Sequence, residues 1–203
     1  MNLEARNLGR KFNRQWIFRN LDLNIAQGAR VAITGANGSG KSTLLQILAG
    51  MMPQTEGSID WKVEEKSIDE QAVFQHLVFS APYQLLPEYL SPIEILKDWY
   101  NIKKLSDGFQ IAQLLEEAGL ASAAQRPVQQ FSSGMKQRLK LLLCLYADCP
   151  LILLDEPTGN LDQSGTEWVL ERLNHISQKS TLIIASNLPE EVQICNQLIQ
   201  LKG

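Results

Sequence analysis

Apolar and polar residues first alternate cleanly between Leu21 and Ile25, where Asp22 and Asn24 separate Leu21, Leu23 and Ile25. A period of two marks a strand with one buried face, and Gln27-Gly28 supplies a turn after it. The first thirty residues are therefore expected to form short antiparallel strands. Arg30-Val31-Ala32-Ile33-Thr34 predicts a further strand, which runs into the glycine-rich stretch Gly35–Gly40. From Lys41 to Ala49 the spacing of Leu44, Leu45 and Leu48 becomes helical, and Gly50 marks the stop.

Ser58–Trp61 and Leu77–Ser80 predict two more strands. Ser91-Pro92-Ile93-Glu94 then has the form of a helix start: a capping serine, a proline in the first turn and a glutamate closing the box. A second helix is expected from about Asp107 to Ala118. A third should follow Phe131-Ser132-Ser133-Gly134, with Met135, Leu139, Leu142 and Tyr146 on one side. Leu151–Leu154 is a continuous apolar run, which suits a strand buried on both faces of a parallel sheet. Asp162 can cap a helix reaching about Ser177, and Thr181–Ala185 predicts another buried strand. The order predicts an α/β nucleotide-binding fold: antiparallel strands, a strand–loop–helix unit, inserted helices, then returning βα units.

Composition narrows the class. A chain of 203 residues, 44% hydrophobic and 20% charged, suits one domain or one domain with an insertion. Nineteen Lys and Arg stand against 22 Asp and Glu, so the formal charge of −3 carries no basic excess for nucleic acid. The longest uninterrupted apolar stretch, Leu141–Ala147, is far short of the ~20 residues that cross a bilayer. The first residues, Met1–Arg6, meet charge at once and contain no apolar signal core. Cys144, Cys149 and Cys195 form no Cys-x-x-Cys pair, and His76 and His175 are the only histidines. Thiols in a reducing compartment fit this better than zinc or disulfides. No internal repeat occurs.

Gly35-Ala36-Asn37-Gly38-Ser39-Gly40-Lys41-Ser42 matches G-x-x-x-x-G-K-[ST] and lies between a predicted strand and helix, the context the motif requires. Its glycines let backbone N–H groups turn towards phosphate oxygens, and the following helix aims its positive end at them. Lys41 places a cation on the β- and γ-phosphates, and the Ser42 hydroxyl is a hard ligand for Mg²⁺. Asp155-Glu156 ends the apolar run at Leu151–Leu154. The first carboxylate there can orient Mg²⁺, and the second can act as general base towards water.

Together these motifs resemble the ATP-binding-cassette (ABC) ATPases, over essentially the whole chain. Phe131-Ser132-Ser133-Gly134-Met135 looks like the family's L-S-G-G-Q signature, with Ser133 and Met135 departing from it. Asp155-Glu156-Pro157-Thr158-Gly159-Asn160-Leu161-Asp162 is similar to its carboxylate strand and D-loop. The resemblance implies a P-loop NTPase of ABC type, with an N-terminal antiparallel β subdomain and an inserted helical subdomain at about Gln84–Tyr146. It implies ATP and Mg²⁺ as ligands. Phe12, Gly35 to Gly40, Lys41, Ser42, Thr43, Ser132, Ser133, Gly134 and Asp162 would bind nucleotide. Ser42, Asp155 and Gln84 would hold the metal, and Lys41, Glu156 and Asn187 would carry catalysis.

Three of these positions leave alternatives open. Phe12 competes with Trp16 as the aromatic that stacks on adenine, and either could instead pack in the core. The family's glutamine loop falls near Ala81 or Pro82, so Gln84 serves only if the loop is shifted, and otherwise lies in solvent. Asn187 stands where the family has a γ-phosphate-contacting histidine, and it could equally cap a helix with Glu190. An Asn amide can donate to phosphate but does not titrate.

By this resemblance the chain is the ATPase subunit of a transporter: a homodimer when ATP is bound, docked on a separately encoded membrane subunit and independent of nucleic acid. It would lie in the cytoplasm on the inner face of the plasma membrane. The chain ends soon after the last core strand, so no C-terminal regulatory domain is expected. The alternatives are a soluble ABC ATPase acting on nucleic acid or ribosomes, and a weakly hydrolysing regulatory module.

Overall fold

Two eleven-residue strands, β1 (Asn2–Phe12) and β2 (Gln15–Ile25), open the chain, longer than the short strands expected from its alternation. They pair antiparallel, with register shifts between Ala5 and Lys11. Asn7, Asn13 and Asn20 take positive φ, which the short asparagine side chain tolerates better than most. Each slip breaks the period of two, so the pattern survives in the sequence only near Leu21–Ile25.

In chain order there follow β3 (Arg30–Gly35), α1 (Lys41–Leu48), β4 (Glu56–Val63), β5 (Lys66–Ile68), a 3-10 segment at Glu70–His76, and β6 (Leu77–Ser80). Next come α2 (Pro92–Ile102), α3 (Ile111–Glu117), α4 (Ser133–Leu145) and β7 (Leu151–Asp155). The chain continues through α5 (Gln163–Asn174), β8 (Thr181–Ala185), α6 (Pro189–Val192) and β9 (Gln197–Leu201). The computed structural model describes residues 1–202. It falls into two compact units, one of Met1–Phe79, Pro150–Asp155 and the chain from Ser177 on, the other of Ser80–Cys149 and Glu156–Ile176.

The first unit holds two sheets. One is antiparallel in the order β2-β1-β4-β5. The other runs β6-β7-β8-β3-β9, with β3 parallel to β8 and β9, and β7 parallel to β8. Val31, Ala32 and Ile33 of β3, all of Leu151–Leu154 and Leu182–Ala185 are buried, as continuous apolar strands require. Each such Val, Leu or Ile contributes about 1.5–3 kcal/mol by leaving water. The Trp61 indole on β4 donates to Leu48 O at 2.9 Å and so ties the antiparallel sheet to α1.

The second unit is helical. The Ser91 box at the start of α2 forms as expected, with the Ser91 N–H and hydroxyl both donating to Glu94. The next helix begins at Ile111 rather than near Asp107, because Gly108 turns the chain at φ +88° and Gln110 serves as N-cap with Gln113. Trp99 Nε1 and Tyr100 Oη donate to Leu143 O and Leu142 O, joining α2 to α4. α5 ends at Asn174, three residues short of the expected Ser177, where His175 leaves helical geometry. Buried Tyr146 donates to Glu117, accepts from Trp168 Nε1 at 3.3 Å and carries the Arg172 guanidinium over its ring at 4.3 Å. Among the described residues no helix is long and apolar enough to cross a membrane.

Candidate nucleotide site

β3 ends at Gly35, whose φ of +151° aims the chain into the loop. A Cβ there would lie 2.5 Å from Ser39 Oγ and 2.7 Å from Leu201 O, so no side chain fits. The loop then turns tightly, with Ser39 N–H donating to Ala36 O at 3.0 Å. Ala36, Asn37 and Gly38 are exposed. Ser39 is only 3% exposed, yet its hydroxyl has no hydrogen-bond partner. Buried polar groups are seldom left so, and a phosphate oxygen is a partner this hydroxyl suits.

α1 begins behind the loop with Gly40 as N-cap, no side-chain cap and no acidic residue in its first turn. Its leading N–H groups are therefore not claimed by a capping side chain, and its positive end suits an anion. Lys41 is buried, and its Nζ donates to Gly35 O at 2.9 Å and Ala36 O at 3.3 Å. The ammonium thus lies along the inside of the loop. Ser42 and Thr43 follow, half-buried, in the first helical turn.

The parallel sheet brings two further predicted residues to the same edge. Asp155, 3% exposed, ends β7 opposite Ala185 of β8, which is itself opposite Ile33 of β3. The carboxyl ends of parallel strands are where such folds bind ligands. Past the end of β8, Ser186 N–H donates to Ile33 O at 3.0 Å. Asn187 then reaches Gly35: its Oδ1 accepts from the Gly35 N–H at 3.1 Å, and its Nδ2 donates to Gly35 O at 2.8 Å. The capping reading of Asn187 with Glu190 does not hold. α6 starts from Leu188 with no side-chain cap, because Asn187 has already committed both ends of its amide to Gly35.

Phe12 ends β1, 39% exposed, with the Arg10 guanidinium 4.5 Å over its ring, so it is not a core residue. Trp16 is half-buried between Lys11 and Arg19. The adjoining β2 residues Ile17 and Phe18 pack on Gly40, placing the β1–β2 hairpin beside the loop.

The remaining predicted residues lie in the helical unit. Glu156 directly follows Asp155 in the chain and takes φ +45°, an uncommon conformation for its residue type, and its backbone carbonyl accepts from the Gly159 N–H at 3.0 Å. Ser132 caps α4 by accepting from the Met135 N–H at 3.2 Å, and Ser133 beside it is exposed. Gly134 passes so close to Asn160 O that a Cβ would sit 3.1 Å from it. Asp162 caps α5 through the Gly165 N–H at 3.0 Å and pairs with Arg138 at 2.5 Å; these two bonds hold its carboxyl below the usual range. Gln84 is half-buried, its N–H donating to Ala81 O at 3.1 Å.

Residue types alone did not single out three side chains that organise this unit. Gln137 donates to Pro157 O at 3.0 Å, and Arg138 also bonds Ala118 O and Ser164, so α4 fixes the segment after Glu156. Lys140 is buried and donates to Ala81 O and Pro82 O, holding the loop that carries Gln84. Burial, then the charge of Lys136, lowers its pKa. The available signal was a lone lysine inside an apolar helical run, Leu139–Leu143.

The ABC transporter family model matches residues 18–159. The lantibiotic transport ATP-binding protein SrtF of Streptococcus pyogenes is 34% identical over 192 residues, covering 94% of this chain and 82% of that protein. The cytochrome c biogenesis ATP-binding export protein CcmA of Yersinia pestis is 31% identical, covering 90% of this chain and 84% of that one. Among solved structures, a dimeric ATP-binding cassette in a post-hydrolysis state with ADP and Pi superposes with a TM-score of 0.82. It is 22% identical and covers 98% of this chain and 94% of its own. A putative ABC transporter ATP-binding protein from Pyrococcus furiosus gives 0.82 at 22% identity, covering 99% of this chain and 98% of that one.

Proposed function

This chain belongs to the ABC transporter family, and from that premise we propose that it is the ATP-hydrolysing cassette of a transporter whose membrane-spanning part is a separate polypeptide. The observation that carries the reading is the phosphate loop. A buried, unpartnered Ser39 hydroxyl, a helix start without a capping side chain and the Lys41 ammonium folded back on Gly35 O all belong to this one short loop.

In this reading the backbone N–H groups of Ala36–Ser42, with Ser39 and Lys41, bind the phosphates of ATP, and Phe12 stacks on the adenine. The Ser42 hydroxyl and Asp155 carboxylate are hard oxygen donors that fit Mg²⁺, with Gln84 as a further ligand. Bound there, the metal would neutralise charge on the β- and γ-phosphate oxygens. Glu156 takes a proton from water as the water oxygen bonds to the γ-phosphorus and the bridging P–O bond breaks, releasing ADP and phosphate. Ser132, Ser133 and Gly134 of a second copy would cover the γ-phosphate, with Asp162 at the same junction. Residues 1–203 act as one cassette, and the helical region at about 84–146 meets the membrane subunit. The family membership supports a place in the cytoplasm, on the inner face of the plasma membrane. The net charge of −3 supports a partner other than nucleic acid.

Lys41→Ala tests the reading. It should abolish turnover and weaken binding of a fluorescent ATP analogue, because the cation on the β- and γ-phosphates is gone. Wild-type phosphate release from that variant would overturn the phosphate-loop assignment.

A further inference from the structure

Two side chains make three hydrogen bonds to the Gly35 backbone. Its N–H donates to Asn187 Oδ1, and its carbonyl accepts both Asn187 Nδ2 at 2.8 Å and Lys41 Nζ at 2.9 Å. A carbonyl oxygen has two lone pairs, and here both are used. The first residue of the phosphate loop is thereby held at once by the strand end 152 residues away and by the lysine at the loop's close.

A carboxamide is suited to this pair of bonds. It presents one acceptor and one donor side by side, matching the N–H and C=O of a single residue, and the reversed amide would set donor against donor. A carboxylate keeps the acceptor but has no donor. The two nitrogens of an imidazole point away from each other, so a histidine cannot bond both groups of Gly35.

We propose that Asn187 is a positioning residue that latches Gly35, fixing the carbonyl that orients Lys41 and thereby the phosphate loop for any nucleotide. The proposal rests on the assignment of Gly35–Ser42 as the phosphate site, and it departs from the γ-phosphate role that the resemblance implies for this position. A latch on Gly35 serves ADP and ATP alike, because it acts on the loop itself. A donor to the γ-phosphate serves ATP alone and shows in kcat.

Equilibrium binding of fluorescent ADP and ATP analogues, with steady-state phosphate release, separates the two. Asn187→Ala and Asn187→His should both weaken ADP and ATP binding by a similar factor, about 10-fold for two lost hydrogen bonds. KM should rise by more than kcat falls. Asn187→Asp keeps the size and the Gly35 N–H bond, so it should lie between these variants and wild type; it also supplies the test if the alanine variant does not fold. Unchanged ADP affinity with a 10-fold or greater fall in kcat would overturn the latch, as would wild-type nucleotide affinity in Asn187→His. Lys41→Ala is the control for the underlying assignment: if it binds ADP and ATP like wild type, the phosphate site itself is wrong, whatever the Asn187 variants do.

Discussion

Gly40 illustrates how little room a residue at this site has. It takes φ +97°, and a Cβ built on it would lie 2.3 Å from Ile17 Cγ2 and 3.3 Å from the Phe18 ring. Ile17 is β-branched and stiff at χ1, so it cannot swing aside cheaply. Gly40→Ala should therefore lose about 1–3 kcal/mol of stability from backbone strain and overpacking, read from the urea midpoint. It should also weaken ATP binding, since Gly40 opens α1. A variant with the wild-type midpoint would show that the β2 contact yields more freely than its geometry implies. Most of this site was legible in the sequence, because Gly35 to Ser42 are contiguous and their chemistry is local. Lys140 was not. A lysine in an apolar helical run carries no sign that it will bond the carbonyls of Ala81 and Pro82, 59 and 58 residues away.

At the scale of elements, the start of α5 couples a cap to an ion pair. Asp162 accepts from the Gly165 N–H and from Arg138 of α4, which lower its pKa from the ordinary 3.8 in that order of importance. A carboxyl with a depressed folded pKa stabilises fully above its unfolded value and loses that contribution as pH falls through the folded one. Asp162→Asn keeps a capping oxygen but loses the charge. Its melting temperature should fall below that of wild type at neutral pH, and the two should converge as pH drops below about 3.8. A constant gap between the two proteins down to pH 2 would remove the Arg138 pair from α5's stability. The helix starts at Ser91, Ser132 and Asp162 were readable because caps are local in sequence. The capping alternative for Asn187 fails for the opposite reason: a better partner for its amide, Gly35, is adjacent only in the fold.

For the whole molecule, the proposed cycle requires two copies to close on ATP. Glu156→Gln should bind Mg-ATP, fail to activate water and accumulate as a dimer by light scattering, whereas the nucleotide-free chain stays monomeric. Persistent monomers at saturating ATP would contradict the closed pair, and normal hydrolysis would take Glu156 out of the base role. The sequence by itself determined the α/β order, the phosphate loop, the carboxylate strand and the family, because each is written in contiguous residues with its own period or motif. Tertiary structure decided the length of the slipped N-terminal strands and the grip of α4 on the segment after Glu156. It also decided which bond Asn187 makes. A side-chain amide takes whichever donor and acceptor the fold sets opposite it, and here parallel pairing of β3 with β8 carries Gly35 to Asn187.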